Sequence, residues 1–249
     1  MTSNTIWIVG ASSGIGRELA RQYVRNGNNV LVSARRLEKL EELAQEAPSH
    51  ITAVQLDVVD KDSIESAAKK IFESNDTPDT IILNAGIYKP MSHTHFIAKN
   101  AEETMKVNYF GVVRMIENIL PRLLKTKSGK IVVVASVAGY NGLPLSLAYG
   151  PTKAALINLC EALRIELMGS GVSIQLVNPG FVKTPLTAQN KFQMPFLLDV
   201  EDAAERILKG INKDQFEIAF PRRFAYLLKV IRMLPYAISL PLLRKMTGS

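Results

Sequence analysis

Tyr149 and Lys153 stand four residues apart in Tyr149-Gly150-Pro151-Thr152-Lys153, and Ser136 lies thirteen positions upstream. On a helix, side chains four apart leave from one face. A phenol with a pKa of about 10 is a poor acid or base near neutrality. A fixed ammonium beside it favours the phenolate and lowers that value, each unit being worth about 1.4 kcal/mol. Such a pair could trade a proton with the oxygen of a carbonyl or alcohol, and the Ser136 hydroxyl could hydrogen-bond the same oxygen. Tyr and Lys at this spacing also occur on solvated helix faces. The pair acquires meaning only if the rest of the chain supplies a cofactor and a frame.

The frame is legible as alternating short apolar runs and helical patterns. Residues 6–9 form an apolar run that ends at Gly10, and Gly10-Ala11-Ser12-Ser13-Gly14-Ile15-Gly16 follows. A helical pattern through Leu19, Ala20, Tyr23 and Val24 then breaks at Asn26-Gly27-Asn28-Asn29, and residues 30–33 are a second buried strand. Strand, glycine loop, helix and strand make a parallel crossover. Later residues predict helices at 37–47, 63–72, 101–124, 149–168 and 200–211, with strands at 51–56, 80–83, 130–135, 172–177 and 216–220. Seven strands and six helices in alternation predict an α/β fold: a doubly wound seven-stranded parallel sheet with helices on both faces, Rossmann-like. A single dinucleotide-binding catalytic domain is expected over residues 1–221, followed by a basic apolar tail over 222–249.

The glycine loop sits between the first strand and the first helix. There, glycines let the backbone turn tightly and approach a pyrophosphate at the positive end of the helix. The end of the second strand reads Ser33-Ala34-Arg35-Arg36. An acidic residue here would bond a free ribose 2′-hydroxyl. Its absence, with Arg35 or Arg36 able to pair with a 2′-phosphate, favours NADP over NAD. The arginines could instead belong to the solvated start of the next helix.

Composition removes other classes. A chain of 249 residues with 47% hydrophobic content is neither disordered nor wholly membrane-embedded. The single cysteine, Cys160, lies among helical apolar residues and reads as core, in keeping with a reducing, cytoplasmic setting. His50, His93 and His95 lack the partners of a metal site, so no metal is expected. The first residues carry no signal-peptide pattern. Net charge is +7, but residues 220–249 hold six cations and no carboxylate, so the body is nearly neutral. No nucleic-acid motif accompanies that charge, and no nucleic-acid partner is expected.

Taken together, Gly10…Gly14-Ile15-Gly16, Asp57-Val58, Asn84-Ala85-Gly86, Asn108, Ser136, Tyr149…Lys153 and Pro179-Gly180 resemble, in order and spacing, the motifs of the short-chain dehydrogenase/reductase family. The resemblance runs over about residues 5–220 and has two local departures. Val9 stands where the family often has Thr, and Leu83 where it usually has a further Asn. The resemblance implies hydride transfer between NADP(H) and a carbonyl or secondary alcohol, with Asn108, Ser136, Tyr149 and Lys153 as a catalytic set. It implies that Ser12, Ser13 and Ile15 line the pyrophosphate path, that Asp57 bonds the adenine edge beside Val58, and that Asn84-Ala85-Gly86 underlies the cofactor. Lys153 would also bind the nicotinamide ribose, Asn108 would hold a water near Lys153, and Pro179, Gly180, Val182 and Thr184 would close over the nicotinamide. A homodimer or homotetramer is implied by the same analogy. The competing reading is a catalytically silent NADP-binding sensor or scaffold protein of the same fold.

Residues 182–198 follow a strand end and are a candidate substrate lid. Tyr140, Leu143-Pro144-Leu145 and Met194-Pro195-Phe196-Leu197 would form an apolar pocket for a hydrophobic substrate. In the tail, Phe224, Leu227, Leu228, Ile231 and Leu234 make one helical stripe that Pro235 ends, followed by an uncharged stretch too short to span a membrane. The stripe either packs on the body or a second subunit, or docks peripherally on an anionic membrane.

Overall fold

Parity along each strand decides which of two cores a side chain joins. Trp7, Val9, Leu31, Ile81, Leu83, Ile131 and Val133 enter one core, while Ile6, Ile8, Val30, Val32, Ile82 and Val132 enter the other. In the computed structural model, which describes residues 4–73, 78–190 and 194–247, these residues belong to β1 (Thr5–Val9), β2 (Asn29–Ala34), β4 (Thr80–Leu83) and β5 (Lys130–Val134). With β3 (Ile51–Gln55), β6 (Ser173–Pro179) and β7 (Glu217–Phe220) they form one parallel sheet in the order β3-β2-β1-β4-β5-β6-β7. A parallel sheet needs helices on both faces, and its inner strands β1, β4 and β5 are accordingly near-continuous apolar runs. The strand order reverses direction between β1 and β4, which opens a crevice beyond their carboxyl ends.

The first core is covered by α3 (Lys61–Phe72), α5 (Gly111–Thr126) and α6 (Tyr149–Glu166), through residues such as Ile64, Met115, Ile119 and Leu156. Cys160 is buried there, its thiol pushed up to about 12 by burial, as suits a small core residue. The opposite core is covered by α1 (Gly14–Arg25), α2 (Leu37–Gln45) and α7 (Val200–Asn212), through Leu19, Leu40, Leu43 and Ile207.

Two elements differ from the expectation. The helix predicted at 101–124 begins earlier as α4 (Ala98–Met105) and passes through a π-helical turn at Lys106–Phe110 before continuing as α5. A π turn holds one residue more than an α turn, which resets the faces on either side. The tail is a pair of helices, α8 (Arg222–Met233) and α9 (Tyr236–Thr247), where a single helix was expected. Phe224, Ala225, Leu228, Ile231 and Leu243 form a third cluster with Val137, so the inner face of the tail packs on the body. Leu227, expected in the buried stripe, is 43% exposed, and Ala225 takes the inner position. Residues 191–193 of the expected lid, 1–3 at the start and 248–249 at the end lie outside the described residues.

The fully buried Trp7 donates its indole N–H to Ser33 Oγ at 3.0 Å, joining β1 to β2 just before the glycine loop. Replacing Ser33 by Ala strands that donor, at a cost of about 1–3 kcal/mol. Chemical denaturation of Ser33→Ala is expected to show a midpoint shift of that size. An unchanged midpoint would mean the bond contributes nothing.

Candidate active site

β1 delivers the chain to Gly10, where φ of +93° suits only glycine and where an added Cβ would lie 2.6 Å from the Ala85 backbone nitrogen. The amides of Gly10 and Ala11 donate to the Ser33 carbonyl at 2.6 and 3.1 Å. From the other side, Asn84 Nδ2 donates to the Gly10 carbonyl at 2.9 Å, and the Asn84 amide donates to the Val9 carbonyl at 2.9 Å. Gly16 lies beneath this turn, with room for no side chain: a Cβ would sit 2.3 Å from the Gly10 carbonyl oxygen. The glycine loop is thus pressed between the ends of β2 and β4. α1 starts at Gly14 with no side-chain cap on its first turn and no acidic residue there, which leaves its amide dipoles for an anion in the crevice.

That crevice is a cleft of about 290 Å³. Gly10, Ser12, Ser13, Gly14, Ile15, Arg35, Arg36, Asp57, Val58, Asn84, Ala85, Gly86, Ser136, Tyr149, Lys153, Pro179, Gly180, Val182 and Thr184 line it, so one continuous trough runs from the end of β2 to the start of α6. Gly16 and Asn108 do not line it. At the β2 end, Arg36 Nη2 donates to Ser12 Oγ at 2.9 Å, which lays the guanidinium against the glycine loop. Asp57 Oδ1 accepts the Val59 amide at 3.0 Å, which fixes the carboxylate at the rim. A backbone cradle that a Cβ would fill, an open helix start and cations near both ends fit a nicotinamide dinucleotide.

At the other end, β5 leads to Ser136, which caps the short turn Val137–Gly139 by accepting the Ala138 amide at 3.1 Å. Its hydroxyl donates to the Pro179 carbonyl at 3.2 Å, which ties the β5 and β6 ends together. Tyr149 is the first residue of α6, and Pro151 falls in the first turn, where its missing N–H costs nothing. Lys153, one turn on and 4% exposed, donates to the Val134 carbonyl at 2.9 Å. Its Nζ lies 5.4 Å from the Tyr149 ring centroid.

This geometry corrects one expectation. Burial pushes the Tyr149 phenol well above its ordinary value; the Ser136 hydroxyl offsets part of the rise, and Tyr88 adds to it. The lowering expected from Lys153 is not what prevails, because the ammonium stands over the ring and is bonded to Val134. Burial in turn depresses Lys153 to about 8. The net effect favours the neutral phenol at Tyr149.

Asn108, in the π turn, is fully buried. It accepts the Ile87 amide at 2.8 Å, donates to the Ile87 carbonyl at 2.9 Å and donates to Thr152 Oγ1 at 3.2 Å. Its side chain clamps the segment after β4 to the first turn of α6.

Several residues escape sequence reasoning. Tyr88 sets its ring edge-to-face with Tyr149, centroids 5.4 Å apart, and its hydroxyl lies 3.4 Å from the Leu145 carbonyl. Its one signal is its place two residues past Gly86. Thr187 Oγ1 donates to the Val182 carbonyl at 2.5 Å, and a bridge between Val182 and Leu198 closes the base of the expected lid. None of the residues expected to form an apolar substrate pocket lines the cleft: Pro144, Leu145 and Met194 to Leu197 lie outside its lining, and Tyr140 and Leu143 turn away from it. Leu143 packs in the tail cluster, and the Tyr140 hydroxyl donates to Glu217 Oε1 at 2.5 Å. Glu217 also accepts from Asn178 Nδ2 at 2.8 Å and pairs with Lys229 of α8. Burial raises the Glu217 carboxyl, but these partners outweigh it and hold the group below its usual value.

A family model described as short chain dehydrogenase matches residues 4–194. An oxidoreductase of Myxococcus xanthus is 34% identical over 94% of both chains. A fatty acyl-CoA reductase of Acinetobacter baylyi is 32% identical, over 93% of this chain and 79% of its own. A short-chain dehydrogenase from Sphingobium yanoikuyae, solved in complex with NADPH, superposes with a TM-score of 0.79 at 25% identity, covering 90% of this chain and 91% of its own. Similar folds have been solved with NAD as well as with NADP.

The buried ammonium provides a test. Because the folded state depresses Lys153 to about 8, from an ordinary value of 10.5, burial penalises folding below about pH 8. That penalty relaxes as pH rises from about 8 through the ordinary lysine range. With lysine ε-carbons labelled, NMR titration is expected to show one resonance with a midpoint near 8 that is missing in Lys153→Met. Titration of every lysine in the ordinary range would contradict it.

Proposed function

The chain belongs to the short-chain dehydrogenase family, and from that premise we propose that it is an NADP(H)-dependent oxidoreductase acting on a carbonyl or secondary alcohol attached to an apolar chain. The observation that carries this reading is the single trough joining Arg36, set over the glycine loop, to Ser136, Tyr149 and Lys153. The bound cofactor supplies the hydride. Tyr149, kept protonated by burial, donates its proton to the developing alkoxide, so that charge does not build on oxygen. Ser136 orients that oxygen from the facing loop. Lys153 supports a ribose and steadies the phenol, while Asn108 fixes the α6 turn that carries both. In the reverse direction the same residues take the proton from an alcohol.

Exposed Leu145, beside Tyr88, and Phe196 and Leu197 in the lid support an apolar substrate, as does the likeness to the Acinetobacter fatty acyl-CoA reductase. NADP rather than NAD is favoured by Arg36 and by the lack of a carboxylate at the end of β2.

Three measurements test the reading. NADPH and NADH consumption over ketones, aldehydes and acyl thioesters of increasing chain length is expected to show turnover that improves with chain length. In Tyr149→Phe, turnover should fall to near nothing while cofactor binding persists; near-normal turnover would overturn the role of Tyr149. Binding without turnover on any such substrate would point instead to a sensor. Arg36→Glu is expected to weaken NADPH about 10- to 100-fold relative to NADH, the worth of a charge-assisted bond. An unchanged NADPH/NADH ratio would remove the NADP preference.

A further inference from the structure

α8 carries two apolar stripes, and packing on the body accounts for one. Phe224, Leu228 and Ile231 face the body. Tyr226, Val230 and Met233, four and three residues apart on the outer side, are 64%, 57% and 84% exposed. In α9, Tyr236, Ile238 and Leu240 are 67%, 54% and 55% exposed. Large exposed apolar side chains recurring on two successive helices mark a surface that meets something.

We propose that the outer face of the α8–α9 pair is a docking surface for a lipid bilayer with anionic headgroups. The charge of the segment selects the occupant. Arg222, Arg223, Arg232, Arg244 and Lys245 lie among or beside the exposed apolar residues, and residues 221–249 contain no carboxylate. A second copy docking by a two-fold axis would set this cationic face against itself, with no acidic residue in the segment to pair with it. An anionic bilayer satisfies both properties: the headgroups meet the cations while the apolar stripe enters the interface. The inner stripe is already buried, so the outer one cannot fold away. No helix among the described residues is long and apolar enough to cross a membrane, which leaves the interfacial mode. The surface also adjoins the lid, because the Phe196 ring lies 5.9 Å from that of Phe224. This assignment stands independently of the catalytic reading.

The test is co-sedimentation of the full chain with phosphatidylcholine vesicles and with phosphatidylglycerol-rich vesicles, alongside Val230→Asp/Met233→Asp and Arg222→Glu/Arg223→Glu. The wild type is expected to partition onto the anionic vesicles about tenfold or more over the neutral ones, and less so as salt rises. Each double variant should lose about tenfold or more of that binding while keeping the wild-type thermal midpoint. Three results would each overturn the proposal. One is no partitioning at low salt, and another is binding that neither variant weakens. The third is a dimer in light scattering that Val230→Asp/Met233→Asp dissociates, with no vesicle binding by the wild type.

Discussion

The contact on which the site depends is the backbone of Gly10 lying against the backbone of Asn84 and Ala85. It requires two adjacent parallel strands, β1 and β4, to end at one level, and it leaves no volume for a side chain at Gly10. The Asn84 side-chain amide, bonded to the Gly10 carbonyl, locks the approach. Everything else in the trough is positioned from that junction. The loop carries Ser12 toward Arg36, α1 opens its first turn over the cleft, and the continuation past Asn84 brings Ile87 within reach of Asn108. The glycine-loop end and the Tyr149 end of the trough are therefore built on one floor.

Burial, more than proximity of charge, sets the electrostatics at the far end. A lysine and a tyrosine side by side suggest mutual stabilisation of ammonium and phenolate. In this cleft both charged forms lose water, the ammonium is bonded to a backbone carbonyl, and the phenol stays neutral. A neutral phenol beside a lysine depressed to about 8 suits the proposed protonation of an alkoxide better than storage of a phenolate.

The layered fold was readable because period and run length are local properties: strand-like runs of four to six residues alternate with amphipathic stretches, and the seven strands form within a few residues of the expected bounds. The residues gathered in the trough were readable where type and spacing constrain chemistry, as at Gly10 to Gly16 and at Tyr149 and Lys153. What could not be read depends on tertiary contacts. The π turn at Asn108 rests on bonds to Ile87 and Thr152, 21 and 44 residues away. Tyr140 leaves the cleft because Glu217, 77 residues on, accepts its hydroxyl. α9 was hidden by Pro241 inside it, a residue that argues against a helix wherever no packing overrides it. The depressed Lys153 depends on burial, which no local pattern states.

The π turn also bears on how the chain tolerates changes in length. It stores one residue more than a regular helix of the same span, so deleting a residue within 106–110 would leave an unbroken α-helix from α4 to α5. The cost would be local: the wide turn absorbs the extra residue, so α4 and α5 would keep their faces while the bulge that presents Asn108 is lost. Asn108 would then lose its hold on Ile87 and Thr152. The segment is thus a place where a shortened chain would keep its secondary structure and lose the alignment between the β4 loop and the start of α6.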